Sequence, residues 1–139
     1  FARERRLCGE TLTPESAEAR DLSGVAIVAA GGLEENGWLR ARWKDLKLPL
    51  SFEADGLVVG PRPGEARGRT LAGRLSLATV PRNPADSSRP ALVFTAPDAA
   101  GAARALAQFS GRFDYEIFDG TASVKSGLYE KSRVPWRPK

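Results

Sequence analysis

The chain has 139 residues, of which 42% are hydrophobic and 27% charged, and a net charge of +4. That composition suits one globular domain and leaves no run of ~20 apolar residues to span a membrane. It has no His and one Cys, Cys8, which excludes an intrachain disulfide, a zinc centre, His-ligated haem and any Ser-His or Cys-His nucleophile pair.

The first eleven residues are charged and without period, and read as a flexible N-terminal segment. Thr13, Pro14 and Glu15 then mark the cap and first turn of a helix over about 14–21. Residues 25–30, VAIVAA, are short, apolar and β-branched, the pattern of a buried strand. Gly32 to Gly37 follow with the spacing of a phosphate-binding loop. That loop needs Lys and Ser or Thr next, then a helix. Trp38 and Leu39 stand there instead, and Glu34 and Glu35 would repel a phosphate. The glycines, with the Asn36-Gly37 turn signal, read as a hairpin connection.

WLRARW (38–43) alternates like a strand, with Leu39, Ala41 and Trp43 on one face and Trp38, Arg40 and Arg42 on the other. Leu46, Leu48, Leu50 and Phe52 continue the alternation, with Pro49 at an edge or bulge. A turn at 54–56 leads into LVVG. Residues 61–69 form a surface loop, 70–80 a strand loosened by Gly73, and 81–90 a second polar loop, the most mobile segment. ALVFT (91–95) is a strand. Thr95 and Asp98 resemble a capping box for a helix over about 97–110, with Ala99, Ala102, Leu106 and Phe109 inward and Gly111 as its stop. Two further strands flank a primed turn at Asp119-Gly120. The expected fold is α+β: a mainly antiparallel sheet, curved or sandwich-like, of six to eight short strands with two short helices. Residues 1–139 form a single domain with an extended basic tail over 131–139.

The candidate sites are few. Arg outnumbers Lys sixteen to five, and Arg grips carboxylates and phosphates bidentately. Trp38 beside Arg40 and Arg42 could stack on nucleic-acid bases, although +4 is modest for a dedicated nucleic-acid binder. Glu53 with Asp55, and Asp114 with Glu116, are i, i+2 carboxylate pairs that a hydrolase or a hard cation could use. Cys8 has no resolving thiol and reads as incidental. The tail carries Lys131, Arg133, Arg137 and Lys139 around Trp136, between two prolines, which suits a docking arm.

The expectation is a non-catalytic accessory or assembly subunit. It would bind a protein partner with an acidic surface through its loops and through Lys131, Arg133, Trp136 and Arg137. A nucleic-acid-binding module using Trp38, Arg40 and Arg42 is the first alternative, and a carboxylate-dependent hydrolase the second. An anionic membrane surface is a further possible target of the tail. No metal or cofactor is expected. The start at Phe1 and the lack of Met are compatible with a processed or exported chain.

Overall fold

The computed structural model describes residues 9–61 and 66–129. Its fold is α+β, with nine strands and three helices among the described residues. The first helix, α1 (Pro14–Glu18), is short because it buries no residue. It is held mainly by its cap, where the Thr13 hydroxyl accepts from the Ser16 amide at 3.2 Å. Strand β1 (Ile27–Gly32) follows, and then helix α2 (Gly37–Arg42).

Three strands, β2 (Leu50–Glu53), β3 (Gly56–Val59) and β4 (Arg69–Ala72), make a small antiparallel sheet. The main sheet also takes β5 (Leu75–Thr79), β6 (Arg82–Asn83), β7 (Asp86–Ala96), β8 (Tyr115–Asp119) and β9 (Ala122–Gly127). Its order is β1-β7-β5-β8-β9, with β6 paired to β7. Among the described residues only β1 and β7 run parallel; the other pairs are antiparallel. Helix α3 (Ala99–Gln108) connects β7 to β8, with β5 between them.

The alternation of side chains along the strands gives the main sheet two buried faces. On one, Leu75, Leu77 and Ile117 meet Leu50 and Leu57 of the small sheet, so the two sheets pack face to face. Beside them Ala29 and Val93 meet Trp38 and Leu39 of α2 and the following Leu46. On the other face, Ala78, Phe94 and Phe118 lie under Ala105 of α3. Full burial of a Leu, Ile or Phe side chain contributes roughly 1.5–3 kcal/mol. The central strand β5, buried along its whole length, is therefore the keel of the fold.

Several local expectations change. WLRARW is a helix, capped by the Asn36 side chain, which accepts from the Leu39 amide at 3.1 Å. Leu39, Trp43 and Leu46 share a helical spacing of i, i+4, i+7, and burying them together outweighs the period-two alternation. Asn36-Gly37 is thus a helix start, not a hairpin turn. The strand expected over 70–80 is two strands in two different sheets. Gly73, at φ +116°, is where the chain passes between them.

The polar segment 81–90 is a bulged hairpin of β6 and β7, not a mobile loop. The cap of α3 is Asp98, whose carboxylate accepts from the Gly101 amide at 2.8 Å. Thr95 stays in β7 and donates its hydroxyl to the Gly31 carbonyl at 2.8 Å. On α3 the inward residues are Gly101, Ala102 and Ala105, and Leu106 faces out. The β8–β9 hairpin has Gly120 and Thr121 as its loop residues, one position beyond the expected Asp119-Gly120, with Gly120 at φ +58°, the positive φ that a primed turn takes at its first loop position.

Candidate functional site

The apolar run 25–32 is not a buried central strand. Among the described residues β1 is an edge of the main sheet and pairs only with β7. Val28 is 64% exposed and Val25 47%. No charged residue and no proline lies between Val25 and Gly32.

The direction of the backbone groups follows from their partners. Leu33 donates its amide to Ala96, and Gly31 accepts from Thr95, so the odd residues aim at β7. The carbonyl of Ala30 accepts from the Asn36 side chain at 3.3 Å, and that of Gly32 from the amides of Glu35 and Asn36. The even residues therefore aim away from β7. By strand alternation both backbone groups of Val28 and the amide of Ala30 aim outward too. They have no hydrogen-bond partner among the described residues.

Those groups face a groove of about 800 Å³. Residues 25–30 make one wall, the segment from Gly9 to Leu22 contributes the other, and Asn36 and Trp38 also line it. Trp38 is itself 95% covered, with a relative exposure of 5%, so it is a packed wall and not a free stacking platform. At the rim Arg20 forms a salt bridge with Glu10.

The entry to β1 is fixed by the segment that sequence patterning assigned to a mobile loop. Asn83, at 1% exposure, donates its amide nitrogen to the carbonyls of Leu22 (2.7 Å) and Val25 (2.9 Å). Its oxygen accepts from the Ala85 amide at 2.8 Å. Asp86 accepts from the Gly24 amide at 2.8 Å and from the Ser88 hydroxyl and amide. These bonds, those from Ser88 above all, hold the Asp86 carboxyl below its usual range. Asn83 and Asp86 thus tie residues 22–25 to the β6–β7 hairpin.

A second arrangement lies where the described chain stops before the basic tail. The Tyr129 amide donates to the Asp114 carboxylate at 2.7 Å, its hydroxyl meets the Thr79 hydroxyl, and its ring stacks on Tyr115 at 5.6 Å between centroids. The Thr79 hydroxyl donates in turn to the Asp114 carbonyl at 2.9 Å. Loss of water pushes the Tyr129 phenol well above the ordinary tyrosine range. The same cause lowers the Arg82 guanidinium from its usual value, while the Asp114 charge raises it. Lys131, Arg133, Trp136 and Arg137 lie outside the described residues, as does Cys8.

The remaining candidates do not converge. Trp38, Arg40 and Arg42 share no strand face: Trp38 is buried, Arg40 donates to the Glu34 carbonyl at 3.0 Å, and Arg42 lies 3.9 Å from Asp45. Glu116 is a buried brace, accepting from the amide and hydroxyl of Ser110, each at 2.8 Å. Asp114 holds Tyr129, while Glu53 and Asp55 are exposed on the small sheet's hairpin. Among the described residues no three acidic or thiol side chains cluster as a cation would require. No described helix is long and apolar enough to cross a membrane.

The stretch 32–37 does lead from a strand into a helix, as a phosphate loop would. Yet the Asn36 side chain occupies the helix start, and the turn amides of Glu35 and Asn36 are spent on Gly32. Sequence reasoning missed Asn83 and the outward edge of Val28. The length of the uncharged run was a signal for the edge; Asn83, of a residue type that is mostly exposed, carried none. No family model matches this chain, and no curated protein and no solved structure matches it.

Proposed function

We propose that the chain is a non-catalytic accessory or assembly subunit that captures a protein partner with an acidic surface, using the basic segment around Trp136. The observation that carries this reading is the fixed root of that segment. Tyr129 is held by its backbone, its hydroxyl and its ring. A held root reduces the chain entropy lost when the following residues dock. Lys131, Arg133, Arg137 and Lys139 provide charge for the acidic surface, and Trp136 provides the aromatic anchor that dominates many interfaces.

The alternatives draw less support. The nucleic-acid reading needed Trp38 exposed beside Arg40 and Arg42, and Trp38 is covered. The hydrolase reading needed Asp114 or Glu116 available, and both are engaged by neighbouring backbone groups.

The test is affinity capture from the native source with and without nuclease, comparing the wild type with Trp136→Ala. The variant is expected to lose about tenfold or more in partner capture. Its stability should move by no more than about 0.5 kcal/mol. Partners lost on nuclease treatment would replace this reading with the nucleic-acid one. Capture and thermal stability falling together would overturn the arm.

A further inference from the structure

We propose that the groove beside β1 binds an extended, uncharged peptide segment of a partner by adding it as a strand to the β1 edge. This stands on observations separate from the basic arm. The outward backbone groups of Val28 and the outward amide of Ala30 are spaced as one side of a sheet ladder. Only another extended backbone can satisfy them in series, so the occupant is a strand rather than a helix or a compact ligand.

The groove's chemistry sets the side chains. The β1 wall has no ionisable residue from Val25 to Gly32. At the rim Glu10 and Arg20 neutralise each other, and the Asp21 carboxylate is engaged by the Ser23 amide at 2.9 Å. Against the β1 wall a charged side chain would lose water and gain no counter-charge, while the Asp21 carboxylate stays exposed at the rim. Small and β-branched uncharged residues fit beside Val28, Ala26 and Ala30.

The groove is also prepared for its occupant. Asn83 and Asp86 fix the start of β1, and Asn36 and Thr95 fix its end. The wall opposite, from Gly9 to Leu22, leaves a space of about 800 Å³, within the roughly 300–1,000 Å³ of known ligand clefts. A bare edge is usually protected by lysine, proline or a bulge. β1 has no lysine or proline, and its ladder with β7 runs in unbroken register.

The probe is a capped, fluorescein-labelled hexapeptide of alternating valine and threonine, read by fluorescence anisotropy against the full chain. A fully N-methylated copy keeps the side chains and removes the donors. Val28→Pro removes one outward amide while leaving the ladder to β7 intact, since that amide faces away from β7. Val28→Lys places a charge at the edge on an already exposed side chain, and Val28→Thr is the conservative control.

The plain peptide should bind saturably, and the methylated peptide, Val28→Pro and Val28→Lys should each weaken binding about tenfold or more. Val28→Thr should stay within about threefold of the wild type, as an exposed conservative change does. Equal binding of the plain and methylated peptides would overturn the proposal, as would binding unaffected by Val28→Lys. No binding of the plain peptide would overturn it too. If the chain then formed dimers that Val28→Lys dissolved, the edge would belong to a second copy.

Discussion

The two edges of the main sheet are built on opposite lines. β9 is guarded: Lys125 lies within it, and Val124 is an extra residue that breaks the register against β8. Charge and bulge both keep a strand from pairing with a stranger. β1 has neither device, and it lies within residues 25–33, the longest uncharged apolar run of the first half of the chain. Yet β1 is framed by side chains brought from far along the sequence, Asn83, Asp86 and Thr95. A guarded edge is a surface to be left alone. An unguarded edge that is held in shape presents main-chain groups at little ordering cost, which is what recognition by strand addition needs.

The sharpest way to break that contrast is to remove the frame. Asn83→Ala deletes two donors to the carbonyls of Leu22 and Val25 and one acceptor, at a fully buried position. Buried groups left unpaired cost about 1–3 kcal/mol each, so a loss of roughly 2–4 kcal/mol is expected. It should appear as a lower urea midpoint at unchanged slope. Peptide binding at the β1 edge should weaken in step. A change below about 0.5 kcal/mol would mean that the β6–β7 hairpin does not brace the groove.

The opposite side of the sheet responds less. Tyr129→Phe removes the hydroxyl contact with Thr79 and leaves the ring on Tyr115. About 1 kcal/mol should be lost, with peptide binding at β1 unchanged. The same substitution has a pH signature. In the folded chain the buried phenol keeps its proton above the ordinary value of 10.0, whereas the unfolded chain releases it there. The stabilisation is therefore complete below pH 10.0 and declines as pH rises above it. Comparing wild type and Tyr129→Phe by denaturation at rising pH isolates this share. A wild type whose alkaline loss matches that of the Phe variant would mean that Tyr129 is solvated.

The mildest change sharpens the comparison from the guarded side. Lys125→Val removes the charge from β9 and should alter stability by no more than about 0.5 kcal/mol. Sedimentation at increasing concentration should show more self-association than the wild type. If association does not rise, the bulge at Val124 is sufficient protection by itself.

Much of the fold could be read directly from residue order. The cap at Thr13-Pro14, the turn at 54–56, the β7–α3–β8 piece and the primed turn at Gly120 all depend on neighbours a few residues apart. Such signals act within a turn or two of chain, so they survive without knowledge of the partner. WLRARW misled because six residues satisfy both periods; Leu46, one turn beyond, extends the helical spacing into the same buried cluster. The passage of the chain from one sheet to the other at Gly73 was visible as a glycine but not as a change of sheet.

The sequence by itself determined the absences and the local grammar: no histidine, one thiol, an α+β balance, an apolar run at 25–32 and a basic segment around Trp136. Tertiary structure alone decided which face of that grammar meets solvent. An apolar strand reads the same whether it is central or at an edge, because its own residues do not encode whether one neighbour or two will pair with it. Polar residues such as Asn83 and Asp114 likewise declare their role only when distant backbone groups arrive to be satisfied. Burial makes each such partnership compulsory, since an unpaired polar group in the interior costs more than the bond itself contributes.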